Sequence, residues 1–267
     1  MQTVQDGDID AGRSIDWGEA SRDYARYRPD PPQSLFDALA FHGIGVPGQR
    51  ILDLGTGTGA LARQFAKAGA SVTGTDIAKG QIAAAIGLAT DAGLDITFRV
   101  AASENTGLAD NTFDVITANQ CWLYFDQPRV VAEAARMLRP GGCLVISHFS
   151  YLPRKSAIAA ASEAVVLRHN PDWQGADLDG VTRLIPKLPG TDARLELMLS
   201  YDEDVRFTAE AWRGRMRALR GIGAALSADA VARFDADHAA VLAEIAGADF
   251  TIPHLIDAHV FRFASGS

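Results

Sequence analysis

Cysteine is scarce in this 267-residue chain: Cys121 and Cys143 are the only two. They have neither metal-ligand spacing nor the numbers for a disulfide framework, so a thiolate metal centre and a cystine-stapled scaffold are excluded. A reducing compartment, the cytoplasm, is the expected setting, with no metal. Long apolar runs are missing too. No stretch approaches the ~20 residues of a membrane span. Met1 to Asp10 is polar and acidic, without the basic start and apolar centre of a secretion signal. Positive charge is in deficit, with 25 Lys and Arg against 33 Asp and Glu and a net charge of −8. That balance disfavours nonspecific contact with nucleic acid. Internal repeats and low-complexity segments are absent. Hydrophobic residues, by contrast, make up 48% of the chain, enough for one substantial core.

Ile51-Leu52-Asp53-Leu54-Gly55-Thr56-Gly57-Thr58-Gly59 is the most informative stretch. A short apolar run reads as a buried strand. Three alternating glycines then supply positive φ and remove the Cβ atoms that would block a ligand's approach. Ala60 to Lys67 is a good helix sequence, and its N-terminus offers free N–H groups to an electron-rich ligand. Gly55, Gly57 and Ala60 satisfy the loose dinucleotide pattern G-x-G-x-x-A. Asp76 ends the next strand-like run, where an acid commonly takes two ribose hydroxyls. Nicotinamide enzymes and other nucleoside-cofactor enzymes both use that pattern. Asp53 distinguishes them, because a carboxylate beside a pyrophosphate would be repelled.

Further on, strand and helix patterns alternate. Gln33–Phe41 and Lys79–Ala92 read as helices, Ile96–Val100 and Phe113–Ala118 as strands. Asp126 caps a helix with Pro128 in its first turn, Arg139-Pro140-Gly141-Gly142 ends it, and Cys143–Ser147 is a buried strand. This alternation predicts an α/β fold: a doubly wound, Rossmann-like, mostly parallel seven-stranded sheet with helices on both faces and a helical lid. The expected organisation is a single domain over 1–267. It has an N-terminal arm and helix (1–45), a cofactor-binding core (46–150), substrate-covering elements with strand six (151–250), and a last, antiparallel strand (251–267). Ligands gather at the carboxyl ends of such strands.

Several motifs carry a family resemblance. Asp53-Leu54-Gly55-Thr56-Gly57-Thr58-Gly59 resembles the first motif of the class I S-adenosylmethionine-dependent methyltransferases. Tyr24-Ala25-Arg26-Tyr27-Arg28-Pro29 resembles the Y-x-x-x-R-P entry segment of their small-molecule members. Ala102 to Asp114 is similar to the family segment D-A-E-x-L-P-F-x-D-x-S-F-D, and Leu138 to Gly142 to its L-R-P-G-G loop. The resemblance covers roughly residues 17–150. It implies S-adenosylmethionine as cofactor, S-adenosylhomocysteine as product, and methyl transfer to a small molecule by in-line displacement. It places Tyr24, Arg28, Asp53, Gly55, Thr56, Gly57 and Gly59 around the cofactor's amino-acid end and ribose. Asp76, Ile77 and Gln81 then serve ribose and adenine, Ser103 and Glu104 the adenine edge, and Asn119 and Gln120 the end of strand four. One departure is Ala102, where the family's adenine-binding Asp stands. Another is Ala118 to Asp126, which lacks the N-P-P-Y of amino-group methyltransferases acting on bases or glutamine.

On the acceptor side, Trp122 and Tyr124 either line a pocket for a flat substrate or belong to the core. Trp173, Trp212 and Arg215 fall in the expected lid, where an indole face and a guanidinium suit an apolar body with an acidic group. His148 follows the fifth strand, so it falls at the sheet's carboxyl edge as a candidate general base. His238 lies in an apolar helical stripe and reads as a core histidine. Two other functions stay open at this level: a nicotinamide-dependent oxidoreductase and a non-catalytic S-adenosylmethionine-binding protein.

Overall fold

The computed structural model describes Tyr27 and residues 29–181 and 185–264. Seven strands form one sheet in the order β3-β2-β1-β4-β5-β7-β6. They are β1 (Arg50–Leu54), β2 (Ser71–Asp76), β3 (Ile96–Val100), β4 (Phe113–Asn119), β5 (Leu138–Tyr151), β6 (Arg194–Thr208) and β7 (Asp249–Arg262). The pairs β3–β2, β2–β1, β1–β4 and β4–β5 are parallel. Strand β7 runs antiparallel to β5, with Phe263 N bonded to Gly142 O and Leu152 N to Pro253 O. The helices are α1 (Gln33–Phe41), α2 (Ala60–Lys67), α3 (Lys79–Asp91), α4 (Gln127–Met137), α5 (Ala157–His169), α6 (Ala209–Arg217) and α7 (Ala228–Ile245).

The chain divides into two compact units, one of Asp30–Phe149, Arg183–Ser200 and Ile256–Ser267, the other of Met1–Pro29, Ser150–Thr182 and Tyr201–Leu255. In the first unit the strand period of two sorts the side chains. Leu52 and Leu54 of β1, Ile116 and Ala118 of β4, and Leu144 and Ile146 of β5 pack with Val130, Val131, Ala134 and Met137 of α4. Burying each of the Leu, Ile, Val and Met side chains among them contributes roughly 1.5–3 kcal/mol. Alternate residues point to the other face, where Asp53 and Thr117 meet in register. Helix α4 starts where Asp126 accepts from Arg129 N, with Pro128 in the first turn. It stops at Met137, so Leu138 to Gly142 belong to β5 instead of terminating the helix. The early start follows from pairing: Phe113 sits opposite Leu138 ahead of a register shift at Phe113/Val115.

The second unit holds α5, α6 and α7 around a core of Tyr151, Val165, Trp173, Phe207, Trp212, Met216, Phe234 and Leu242. Its helices are capped by the short polar residues their sequences offer. Ser156 accepts from Ala159 N, Thr208 from Ala211 N and Ser227 from Ala230 N. Strands β6 and β7 run longer than the apolar patterning predicts; in β6 the alternation continues through charged residues to Phe207 and Thr208. Among the described residues no helix is long and apolar enough to cross a membrane.

Candidate active site

The glycine turn joins β1 to α2 at the carboxyl edge of the parallel strands. Gly55, Gly57 and Gly59 all have positive φ, between 55° and 77°. Gly55 and Gly59 are also held by space: an added Cβ would meet Cys121 Sγ at 2.8 Å in the first case and the Phe98 ring at 2.9 Å in the second. The turn is tied to β2 by Thr56 N donating to Thr75 O.

Two carboxylates flank this turn. Asp53 is almost fully buried, and it accepts from Thr56 Oγ1 at 2.6 Å and from Thr117 Oγ1 at 2.7 Å. Burial pushes its pKa up to about 6; the two hydroxyls oppose that and the charge of Asp76 adds to it. Asp76 accepts from Gly57 N at 3.0 Å and Ala78 N at 2.8 Å. Burial raises its pKa as well, against those backbone donors. The backbone N–H of Ile77 adds a third donor to the same carboxylate. Neither carboxylate is paired with a Lys or Arg among the described residues.

The remaining expected cofactor residues differ in exposure and in bonding. Ile77 follows Asp76 with 68% of its surface exposed, whereas Gln81 is buried in the first turn of α3. Ser103 is buried in the loop after β3, and Glu104 accepts from Asp126 N. Ala102, where the family pattern has Asp, pairs with Asn105 in an isolated antiparallel bridge. At the end of β4, Asn119 Oδ1 accepts from Ser147 Oγ and Gln120 N donates to Ser147 O. Gln120 adopts φ 64°, a left-handed conformation uncommon outside glycine and frequent at functional edges. Tyr24 and Arg28 lie outside the described residues. Thr117 and Cys121 were missed by sequence reasoning; a lone hydroxyl in the apolar run of β4 was the available signal for Thr117.

On the acceptor side, Trp122 belongs to the first unit's core with its indole N–H buried and unbonded, and Tyr124 is half-buried in the same short 3-10 turn. His148 Nδ1 stands 3.2 Å from Asp257 Oδ1, directly across the β5–β7 pair. Sequence reasoning missed Asp257 and His259; the signal was an acid and a histidine two residues apart, on one face of the last strand. The other three expected acceptor residues lie in the second unit. Trp212 is wholly enclosed there and donates its indole N–H to Ser162 Oγ, which makes it a packing residue. Trp173 is 7% exposed, packed against Gly175 and Gly221. Arg215 is buried, with its guanidinium 5.4 Å above the Tyr151 ring. His238 is a core histidine as expected: Nε2 meets Ser162 Oγ at 2.9 Å, and burial lowers its pKa to about 4.

The strand order, the positive-φ glycine turn and the acid ending β2 together define a Rossmann-like core of the class I methyltransferase type. Residues 52–146 match the methyltransferase domain family. A ubiquinone biosynthesis O-methyltransferase of Ruegeria pomeroyi is 33% identical over 131 residues, covering 47% of this chain and 53% of the relative. The ubiquinone/menaquinone biosynthesis C-methyltransferase UbiE of Bdellovibrio bacteriovorus is 39% identical over 110 residues, 38% of this chain and 45% of the relative. The chain therefore spans about half the length of the curated relatives it matches. A structure from Anaeromyxobacter dehalogenans, described as a candidate type II methyltransferase, superposes with a TM-score of 0.61 at 23% identity. The match covers 90% of this chain and all of that one, a likeness of fold.

Proposed function

We propose that this protein transfers a methyl group from S-adenosylmethionine to a small-molecule acceptor. The observation that carries the reading is the pair of carboxylates, Asp53 and Asp76, that bracket a glycine turn and have no Lys or Arg partner among the described residues. A donor set of two acids suits a cationic cofactor and opposes a pyrophosphate, which also disfavours nicotinamide chemistry. S-adenosylmethionine supplies a sulfonium-activated methyl group, so the protein's task is to bind and align. In this reading Asp53, steadied by Thr56 and Thr117, faces the cofactor's ammonium end. Asp76 takes the ribose hydroxyls, and Ile77 lies against adenine. Ser103, Glu104, Asn119 and Gln120 close the remaining edges, and Tyr24 and Arg28 the carboxylate end. Tyr124 serves the acceptor, and His148 is its base.

Calorimetric titration with S-adenosylmethionine, S-adenosylhomocysteine and NADH tests the cofactor assignment. Binding of the first two and not of NADH is expected, and the reverse order would overturn it. Transfer of a labelled methyl group into a metabolite mixture then separates an enzyme from a protein that only binds the cofactor.

A further inference from the structure

His148, Asp257 and His259 share one face of the β5–β7 pair in the first unit. Hydrogen bonds at both ends of that pair hold the same register, which sets His148 directly opposite Asp257; His259 follows two residues along β7 on the same side. Asp257 Oδ1 is 3.2 Å from His148 Nδ1 and 3.6 Å from His259 Nδ1. The three are not a metal centre: among the described residues no group of His, Cys, Asp and Glu is arranged to hold an ion.

We infer that Asp257 is a positioning residue that presents His148 as a base through Nε2, and that the acceptor is a hydroxyl compound of phenolic acidity in preference to an amine. The inference rests on the methyl-transfer reading and names its acceptor class. A carboxylate oxygen only accepts hydrogen bonds, so the contact with Asp257 requires the proton on His148 Nδ1. The lone pair of the neutral ring is then at Nε2, which has no hydrogen bond to a described residue. The His148 side chain is 31% exposed and Asp257 only 8%. The buried end of the pair thus holds the charge and the open end meets the solute. As His148 becomes imidazolium, its attraction to a desolvated carboxylate strengthens beyond its value in water.

His259 stands beside the same carboxylate. It is 1% exposed, stacked on Phe261, and neither ring nitrogen has a hydrogen-bond partner. Burial lowers its pKa, with Asp257 opposing and His148 reinforcing the shift, so the ring is neutral at pH 7. It stands 3.6 Å from the carboxylate as an uncharged wall.

A hydroxyl is a weak nucleophile until its proton leaves, whereas a free amine already carries its lone pair. In the step inferred here, His148 Nε2 takes the hydroxyl proton as the acceptor oxygen bonds to the methyl carbon. The bond from that carbon to sulphur breaks with its electron pair remaining on sulphur. The positive charge lost at sulphur reappears on the imidazole, beside Asp257.

The test uses the full-length protein labelled with 15N-histidine, as wild type, Asp257→Ala and the isosteric Asp257→Asn, the last serving if the alanine variant does not fold. Long-range 1H–15N correlation reads the His148 tautomer without any turnover. The Nδ1–H form is expected in the wild type, and a substantial Nε2–H population in the variants. An unchanged tautomer would overturn the dyad. S-adenosylmethionine titrations on the same samples report separately on methyl transfer: absence of binding with the tautomer shift intact refutes the wider reading alone. Labelled S-adenosylmethionine is then given matched phenols and anilines. Label in the phenols, with turnover lowered about 10²-fold in Asp257→Ala and in His148→Ala at unchanged cofactor affinity, is the expected result. Label in the anilines, or in neither set, overturns the acceptor class.

Discussion

Replacing Asp53 with Asn should strengthen the cofactor-free protein while weakening its hold on the cofactor. In the folded chain the Asp53 carboxyl has a pKa of about 6 against 3.8 for the free group. The cause is burial, outweighing two hydroxyl donors. A folded pKa above the unfolded one means that the native state retains the proton between those values. The group's contribution to stability is then fully present below 3.8 and is lost as pH rises through about 6. At about 1.4 kcal/mol per pKa unit, the ionised carboxylate costs the cofactor-free fold about 3 kcal/mol at pH 8. The amide of the Asp53→Asn variant would keep the shape without that charge, its oxygen accepting from one threonine hydroxyl and its NH2 donating to the other, which turns to accept. Urea unfolding of both proteins from pH 4 to pH 8 should show the variant's advantage growing by about 2–3 kcal/mol. The depressed pKa values of His238 and His259 act in the opposite sense, but equally in both proteins, so they cancel in the difference. In calorimetry, loss of the charged partner should weaken S-adenosylmethionine by at least about tenfold, a hydrogen bond to a charged group being worth roughly 1.5–3 kcal/mol. Wild-type binding near pH 6 should release protons, because a nearby cation lowers the Asp53 pKa. A stability difference that is flat across pH, or unaltered cofactor affinity, would refute the reasoning.

Asp76→Ala should also reduce cofactor affinity by about tenfold or more in the same titration, since two charge-assisted contacts are removed; equal affinity would dismiss Asp76 as the ribose ligand. Ser162→Ala should cost about 2–4 kcal/mol in urea unfolding although it deletes a single oxygen, because Trp212 Nε1 and His238 Nε2 both lose their partner. A loss below about 1 kcal/mol would show that those donors find other acceptors. Glu133→Gln should cost about 1–3 kcal/mol at pH 7, since the carboxylate accepts from Arg136 Nε and Nη2 and from Thr106 N and Oγ1. Arg136 holds the Glu133 pKa down to about 2, so this contribution is present above 4.5 and is lost as pH falls toward 2. A penalty that persists unchanged at pH 3 would contradict that assignment.

What could be read without coordinates was local. The run from Ile51 to Lys67 dictated strand, turn and helix because glycine spacing, apolar runs and helix-forming residues act over a few neighbours. The acid after β2 was legible for the same reason, as was the cap at Asp126, whose oxygen reaches only to an N–H group three residues on. The strand-helix alternation then limited the topology to a doubly wound sheet.

The tertiary structure decided whatever depends on partners far along the chain. Asp53 and Thr117 are 64 residues apart, and only the parallel register of β1 on β4 joins them. His148 had no visible partner in its own neighbourhood; Asp257, 109 residues later, faces it because β7 returns antiparallel beside β5. Trp212 had the residue type of a substrate contact, and the packing of α5, α6 and α7 enclosed it in a core instead. Patterning states which face of an element is apolar. Which element covers that face, and which charge ends beside which histidine, is settled only when strands choose neighbours and registers, a choice made by the combined burial of the whole sheet.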